Sequence, residues 1–224
     1  MDISATTPEI NKELHIAGAA GDTIDVTGST MGAQSSILGD NGQIILDTAT
    51  GTLLSIQSTD FASGARDIIT LTSGTNAVIG GAGADDIVAQ AGTNTILGDD
   101  GQAQFFANGD LRLIESINLG NGANDNITLS DGTNTVIAGV GDDVIAVGGG
   151  TNYVLGDEGK VEVLTDGSGT TVVRSLNASA GGTDDIDIGA GFNVVIAGAA
   201  SDSIDVTGTA GSAKSSILGD NGQI

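Results

Sequence analysis

The residues of this chain that could do chemistry are carboxylates set at a fixed period. Between 120 and 159 the sequence reads GNGANDNIT, LSDGTNTVI, AGVGDDVIA, VGGGTNYVL, GDEG. This is a nine-residue repeat, with Asp125, Asn134, Asp143 and Asn152 at the sixth place. Ile127, Val136, Ile145 and Val154 hold the eighth. Fixed-period self-similarity dictates architecture and is read before anything else. Carboxylates come into register at twice the period: Asp67 and Asp85, Asp125 and Asp143, Asp184 and Asp202 are each 18 residues apart. Asn76 and Asn94, Asn134 and Asn152, and Asn193 fall between them. If two nonapeptides make one 18-residue coil, one edge of the stack carries Asp and the other Asn. Stacked carboxylates repel unless a cation lies between them. Ca²⁺ suits them: a hard ion taking six to eight oxygens, carboxylate and carbonyl, at about 2.3–2.6 Å. Glycines supply the positive φ that turns loop carbonyls inward.

The pattern GGxGxDxUx, with U a large apolar residue, is that of a calcium-binding parallel β-roll. AGVGDDVIA matches it with one change, Ala138 for the first Gly. The chain resembles the RTX (repeats-in-toxin) calcium-binding repeats of secreted bacterial proteins. That resemblance implies a module that folds on extracellular calcium and is exported by a type I system.

Composition bounds the reading. A formal charge of -23 with 29 acids and six Lys or Arg disfavours nucleic acid and anionic membrane as partners. The same charge suits a protein neutralised by cations. Hydrophobic residues reach 39% but aromatic ones only 2%, which points to a thin repetitive core of branched side chains. The absence of Cys excludes disulfides and thiolate metal sites. No apolar run is long enough to span a membrane, and the start has no basic-then-apolar signal pattern.

The elements that must position the carboxylates form a larger repeat. Residues 1–12 carry no repeat signal and read as a linker, or as a cap or docking strand. Residues 13–224 read as one elongated β-solenoid, a segment of a longer array. Its markers are LGDxG at 38–42, 97–101, 155–159 and 218–222, giving three blocks of about 60 residues. The stretch 18–44 recurs at 198–224, an offset of 180. Ile24 to Ile37 and Ile204 to Ile217 span thirteen residues where nine are expected, so both insert a loop. Each block holds nonapeptides and then QIILDTATGTLLSIQS, QAQFFANGDLRLIES or KVEVLTDGSGTTVVRS. Two β-prone runs around a Gly turn fit either a hairpin or one long coil.

The LGDxG loops should land on the Asp edge. Asp99 and Asp157 then complete a second site per block, with Asp22 and Asp40, and Asp202 and Asp220, doing likewise at the ends. After each Asn loop the outward place is apolar every time: Ile79, Leu97, Ile137, Leu155 and Ile196. Such a stripe needs cover. The inserts supply it, through Phe105, Phe106, Leu111, Leu113, Val161, Val163, Val172 and Val173. On the Asn edge, left-handed geometry and stacked neutral amides give a structural turn. Thr75 with Thr93, and Thr133 with Thr151, could form an ice-binding ladder, but each is only two coils long before an insert.

The expectation is therefore an all-β parallel β-roll or β-solenoid of 18-residue coils, two nonapeptides each. Its ligands are Asp22, Asp40, Asp67, Asp85, Asp99, Asp125, Asp143, Asp157, Asp184, Asp202 and Asp220, and its ion is Ca²⁺. With one His and no Cys, no catalytic set assembles, so the reading is non-enzymatic. It is a rod, stalk or fibre segment of a large secreted or cell-surface bacterial protein, such as an adhesin. Its partners are calcium, adjacent repeats or other copies of itself, stacked end to end into filaments. The rival readings are an ice-binding solenoid, and a secretion module beside a secreted enzyme or toxin.

Overall fold

The computed structural model describes residues 2–4, 12–27, 33–165, 167–208 and 214–224. The inserted loops at 28–32 and 209–213, and most of the opening segment, lie outside them. Every regular element described is a strand. The chain begins with β1 (Asp2–Ser4), β2 (Lys12–Ile16), β3 (Thr23–Val26) and β4 (Ala33–Leu38), then the hairpin β5 (Gly42–Leu46) and β6 (Leu53–Ser58). Next come β7 (Ile68–Leu71), β8 (Gly74–Ile79), β9 (Asp86–Ala89) and β10 (Gly92–Leu97), then the hairpin β11 (Gly101–Phe105) and β12 (Leu111–Ser116). The third round is β13 (Asn126–Leu129), β14 (Gly132–Ile137), β15 (Val144–Val147), β16 (Gly150–Leu155), β17 (Gly159–Val163) and β18 (Thr171–Ser175). The chain ends in β19 (Asp185–Ile188), β20 (Gly191–Ile196), β21 (Ser203–Val206) and β22 (Lys214–Leu218).

Short strands alternate between two parallel sheets. The first runs β1-β3-β7-β9-β13-β15-β19-β21, and the second β2-β4-β8-β10-β14-β16-β20-β22. This all-β architecture of long parallel sheets is compatible with a β-solenoid. The hairpins leave it and build a third, antiparallel sheet of six strands, β18-β17-β12-β11-β6-β5. The inserts are thus hairpins and not long coils. The opening segment contributes β1, which pairs with β3.

Sequence pattern explains the layering. In the first sheet Ile24, Ile69, Ile87, Ile127, Ile145, Ile186 and Ile204 stand in one register row. Strands such as β13 and β19 alternate exposed and buried residues, as expected where one face is solvated. In the second sheet the last four residues of β8, β10, β14 and β20 are all buried. This sheet is covered on both faces, so neighbouring residues go opposite ways. Val78, Ile96, Val136, Val154 and Val195 meet the first sheet in one core. Ile79, Leu97, Ile137, Leu155 and Ile196 meet the hairpins in another. The apolar stripe is covered by Phe105, Val161 and Val173, with Leu111 packed alongside. Leu53, Ile56 and Ile114 add to that cover. Burying one such side chain contributes about 1.5–3 kcal/mol, so neither core depends on a single residue.

Candidate functional site: the aspartate ladder

From β3 onward, the loop before each strand of the first sheet places an Asp in a stack. Backbone N–H groups donate along it: Asp22 to Asp67 Oδ1 at 2.6 Å, Asp67 to Asp85 at 2.7 Å, Asp85 to Asp125 at 2.7 Å. It continues from Asp125 to Asp143 at 2.7 Å, Asp143 to Asp184 at 2.9 Å and Asp184 to Asp202 at 3.1 Å. Neighbours in the stack are 18 residues apart within a block and 45, 40 or 41 across a hairpin. The hairpins therefore leave the stacking unbroken. The carboxylates do not line a solvated edge: Asp67, Asp85, Asp125, Asp143 and Asp184 are at most 2% exposed.

Each carboxylate uses one oxygen in this chain of bonds. The second oxygens of Asp67, Asp85, Asp125, Asp143, Asp184 and Asp202 are buried without a hydrogen-bond donor. They press on the glycines that end the second sheet's strands. A Cβ on Gly39, Gly80, Gly98 or Gly156 would collide with Oδ2 of Asp67, Asp85, Asp125 or Asp184 respectively. The same Cβ positions would collide with the carbonyl oxygens of Gly80, Gly98, Ala138 and Ala197. Each niche therefore holds a carboxylate oxygen without a donor beside a carbonyl oxygen, and the carbonyls of Gly98, Ala138 and Ala197 each already accept one backbone N–H.

The electrostatics follow. Burial first, and then the neighbouring acids Asp67 and Asp40, pushes the Asp85 carboxyl up to about 8. Burial likewise raises Asp184 to about 8, Asp143 to about 7 and Asp67 to about 6. Asp125 is raised well above the carboxylate range by burial and by Asp99, Asp143 and Asp85. A row of acceptors with this little solvent needs protons or cations. Calcium fits the donor set, hard oxygens from carboxylates and glycine-rich carbonyls. Among the described residues no three His, Cys, Asp or Glu side chains form a metal cluster. An ion on the ladder would complete its shell with backbone carbonyls.

The LGDxG aspartates do a different task. Asp99 Oδ1 accepts from Ala123 N at 3.0 Å and Oδ2 from Val140 N at 2.6 Å. Asp157 Oδ1 accepts from Gly182 N at 3.0 Å, and Oδ2 from Ala199 N. Asp40 faces the N–H groups of Ala65 and Ala82 more loosely. Asp99 and Asp157 each clasp the two loops that follow, whereas both carboxylate oxygens of Asp40 are buried without a hydrogen bond. Glycine is required there: Gly139, at φ 122°, sits where a Cβ would strike Asp99. Electrostatically Asp99 still adds to Asp125, and Asp157 to Asp143 and Asp184. Asp220 is exposed and takes no place in the stack.

Sequence reading missed the next residue of the marker. Asp100 Oδ2 accepts from Asn118 Nδ2 at 3.2 Å. Glu158 takes Gly120 N at 2.6 Å and Asn177 Nδ2 at 2.8 Å. Asn118 and Asn177, with φ of 57° and 23°, shape the chain as it returns from the β11–β12 and β17–β18 hairpins. The matching placement of these two Asn residues after their markers was the available signal.

The Asn edge is closed. Asn76, Asn94, Asn134 and Asn152 each donate from Nδ2 to the next Asn Oδ1, at 2.8–2.9 Å, ending on Asn193. Each also donates to a carbonyl four residues back. These Asn residues lie in strands and have no positive φ, so the left-handed geometry expected of them falls elsewhere. The Thr ladder also differs from expectation. Thr75, Thr93, Thr133 and Thr151 form one row of four, because the hairpin does not separate β10 from β14. Three of them line a groove of about 650 Å³ with Thr52, Asn108 and Asp110 of the hairpins. Gln34 and Phe192 flank the row.

Comparison with known proteins finds no matching family model, no similar curated protein and no similar solved structure.

Proposed function

We propose that this chain is a calcium-stabilised, non-enzymatic structural repeat segment, a rod or stalk of a large secreted or surface-bound bacterial protein. One observation carries the reading: a continuous row of buried carboxyl oxygens without donors, facing carbonyl oxygens. The coil is 18 residues, two nonapeptides, in the manner of the RTX repeats the sequence resembles. Bound calcium would supply the positive charge that the ladder lacks. Asp67, Asp85, Asp125, Asp143, Asp184 and Asp202 would hold it; Asp40, Asp99 and Asp157 would add field, the last two while clasping the loops. In a calcium-poor cytoplasm the charge of -23 keeps the chain open for export. Outside, binding is coupled to folding. Extracellular calcium modules bind at about 10⁻⁴–10⁻³ M, and one site at 100 times its dissociation constant stabilises by about 2.7 kcal/mol.

The test is calorimetric titration of calcium into chelator-stripped protein. Binding that is lost on combining Asp85→Asn, Asp125→Asn and Asp143→Asn supports the reading. No binding by the unsubstituted chain, or the same stoichiometry in the triple variant, contradicts it.

A second reading, ice binding, is favoured by the unbroken row of four Thr residues. Against it, the parallel Thr pair two residues on, Thr95 and Thr135, is buried, and part of the row lies in a groove beneath hairpin turns. Thermal hysteresis in solution would revive it.

A further inference from the structure

The groove beside the Thr row plays no part in the aspartate ladder. Its floor is the outer face of the second sheet, where Thr75, Thr93 and Thr133 stand in register on β8, β10 and β14. Thr95 and Thr135, two residues on, line it more deeply and are only 3% and 4% exposed. Neither of these two hydroxyls is hydrogen-bonded to a described residue. A buried hydroxyl without a partner costs free energy. Both sit where a bound molecule, and not the protein, would satisfy them.

The walls narrow the ligand. Phe105 and Leu111 give one apolar side, and Asn108 with Asp110, on the exposed turn of the β11–β12 hairpin, a polar lip. The Lys12 ammonium that reaches the groove already donates to Thr50 O at 3.1 Å and Gly51 O at 2.7 Å. Asp110 Oδ2 accepts from Asn108 Nδ2 at 2.6 Å. One cation and one carboxylate leave no net charge along the lining to recruit an ion. The floor strands are paired on both edges, so a polypeptide gains no ladder there. What remains is a set of hydroxyls, each able to donate and to accept, opposite an apolar wall. A sugar ring is the matching shape: hydroxyls around its rim and C–H groups on its face. Adjacent strands lie about 4.7–4.9 Å apart, close to the length of one hexose in an extended glycan. Gln34 continues the row beside Thr75. The groove thus crosses β4, β8, β10 and β14, a length of about three sugars. Its volume of about 650 Å³ lies within the usual span of ligand sites.

We propose that this groove binds a linear, uncharged oligosaccharide laid across the strands of the second sheet. The Thr hydroxyls bond successive sugars, Thr95 and Thr135 from the floor, while ring faces lie toward Phe105 and Leu111. Asn108 and Asp110 take hydroxyls at the lip. The inference goes beyond a structural rod and rests on the groove, and not on calcium.

The test follows backbone amide NMR signals of the isotope-labelled chain in millimolar calcium. Cellotetraose, xylotetraose, mannotetraose and chitotetraose, all extended and uncharged, are titrated in turn. The expected result is that at least one of them shifts the amides of Thr93, Thr95, Thr133 and Thr135 and saturates by millimolar concentration. Combining Thr95→Val with Thr135→Val should keep the β-sheet circular dichroism and weaken that binding about tenfold. Thr93→Val, at an exposed place that the fold does not depend on, should weaken it too. Thr151→Val, in the same row but outside the groove, should leave it unchanged. No shift at the groove with any of the four sugars, or binding unaltered by Thr93→Val and by the double variant, overturns the proposal. Calcium calorimetry on the same samples shows separately whether the ion reading stands.

Discussion

Asp and Asn have nearly the same shape, and this chain stacks both, with opposite consequences. The Asn amide carries its own donor, so each ladder member satisfies the next and nothing is left over. The carboxylate carries none, so one oxygen each of Asp67, Asp85, Asp125, Asp143, Asp184 and Asp202 stays buried without a hydrogen-bond donor. Asp85→Asn therefore has opposite effects in two solutions. In chelator at pH 8 the amide keeps the acceptor for Asp67 N, removes a buried charge and raises the melting temperature. In millimolar calcium, if the proposed function holds, it removes a ligand and the rise in melting temperature on adding calcium is smaller than for the unsubstituted chain. The pH dependence has the same origin. Asp85, Asp143 and Asp184 rise from 3.8 to between about 7 and about 8 on folding, so the folded state holds protons that the unfolded chain releases. Without calcium, stability is full below pH 4 and is lost as pH climbs through about 8. Melting curves in chelator at pH 5 and pH 8 measure it. The 18-residue spacing of the Asp pairs was legible in the sequence. Their burial was not, because it depends on how closely the loop meets Gly39, Gly80, Gly98 and Gly156 across the solenoid. Nor was the clasp made by Asp99, whose partners Ala123 and Val140 are distant in sequence.

At the scale of elements, the parallel sheets and the apolar stripe followed from alternation in strands such as Ile127-Thr128-Leu129 and from Val136-Ile137 side by side. The hairpins were ambiguous, since two β-prone runs around a turn fit two shapes. What decides them is non-local: β6 pairs with β11, and β12 with β17, so hairpins from different blocks build one sheet. That pairing also keeps the Thr row unbroken, which local reading could not see. Ile114 is fully buried between the hairpin sheet and the solenoid. Ile114→Ala should cost about 2–5 kcal/mol by cavity formation, measured by urea unfolding in calcium. A cost near zero would mean that the third sheet is dispensable.

For the whole molecule the opposing terms are the two apolar cores and the self-repulsion of a chain with 29 acids and six Lys or Arg. Repulsion is concentrated where solvent cannot screen it, along the ladder that runs from Asp22 to Asp202. On the proposed reading, calcium is the term that reconciles the buried charge with the fold. The direct measurement is the far-UV circular dichroism of the intact chain at pH 8, started in chelator and titrated with calcium. A cooperative gain of β signal, or a large upward shift in melting temperature, near millimolar calcium is the predicted result. A β spectrum and melting temperature unmoved by calcium would contradict the account, and would leave the solenoid standing on its cores and its Asn ladder.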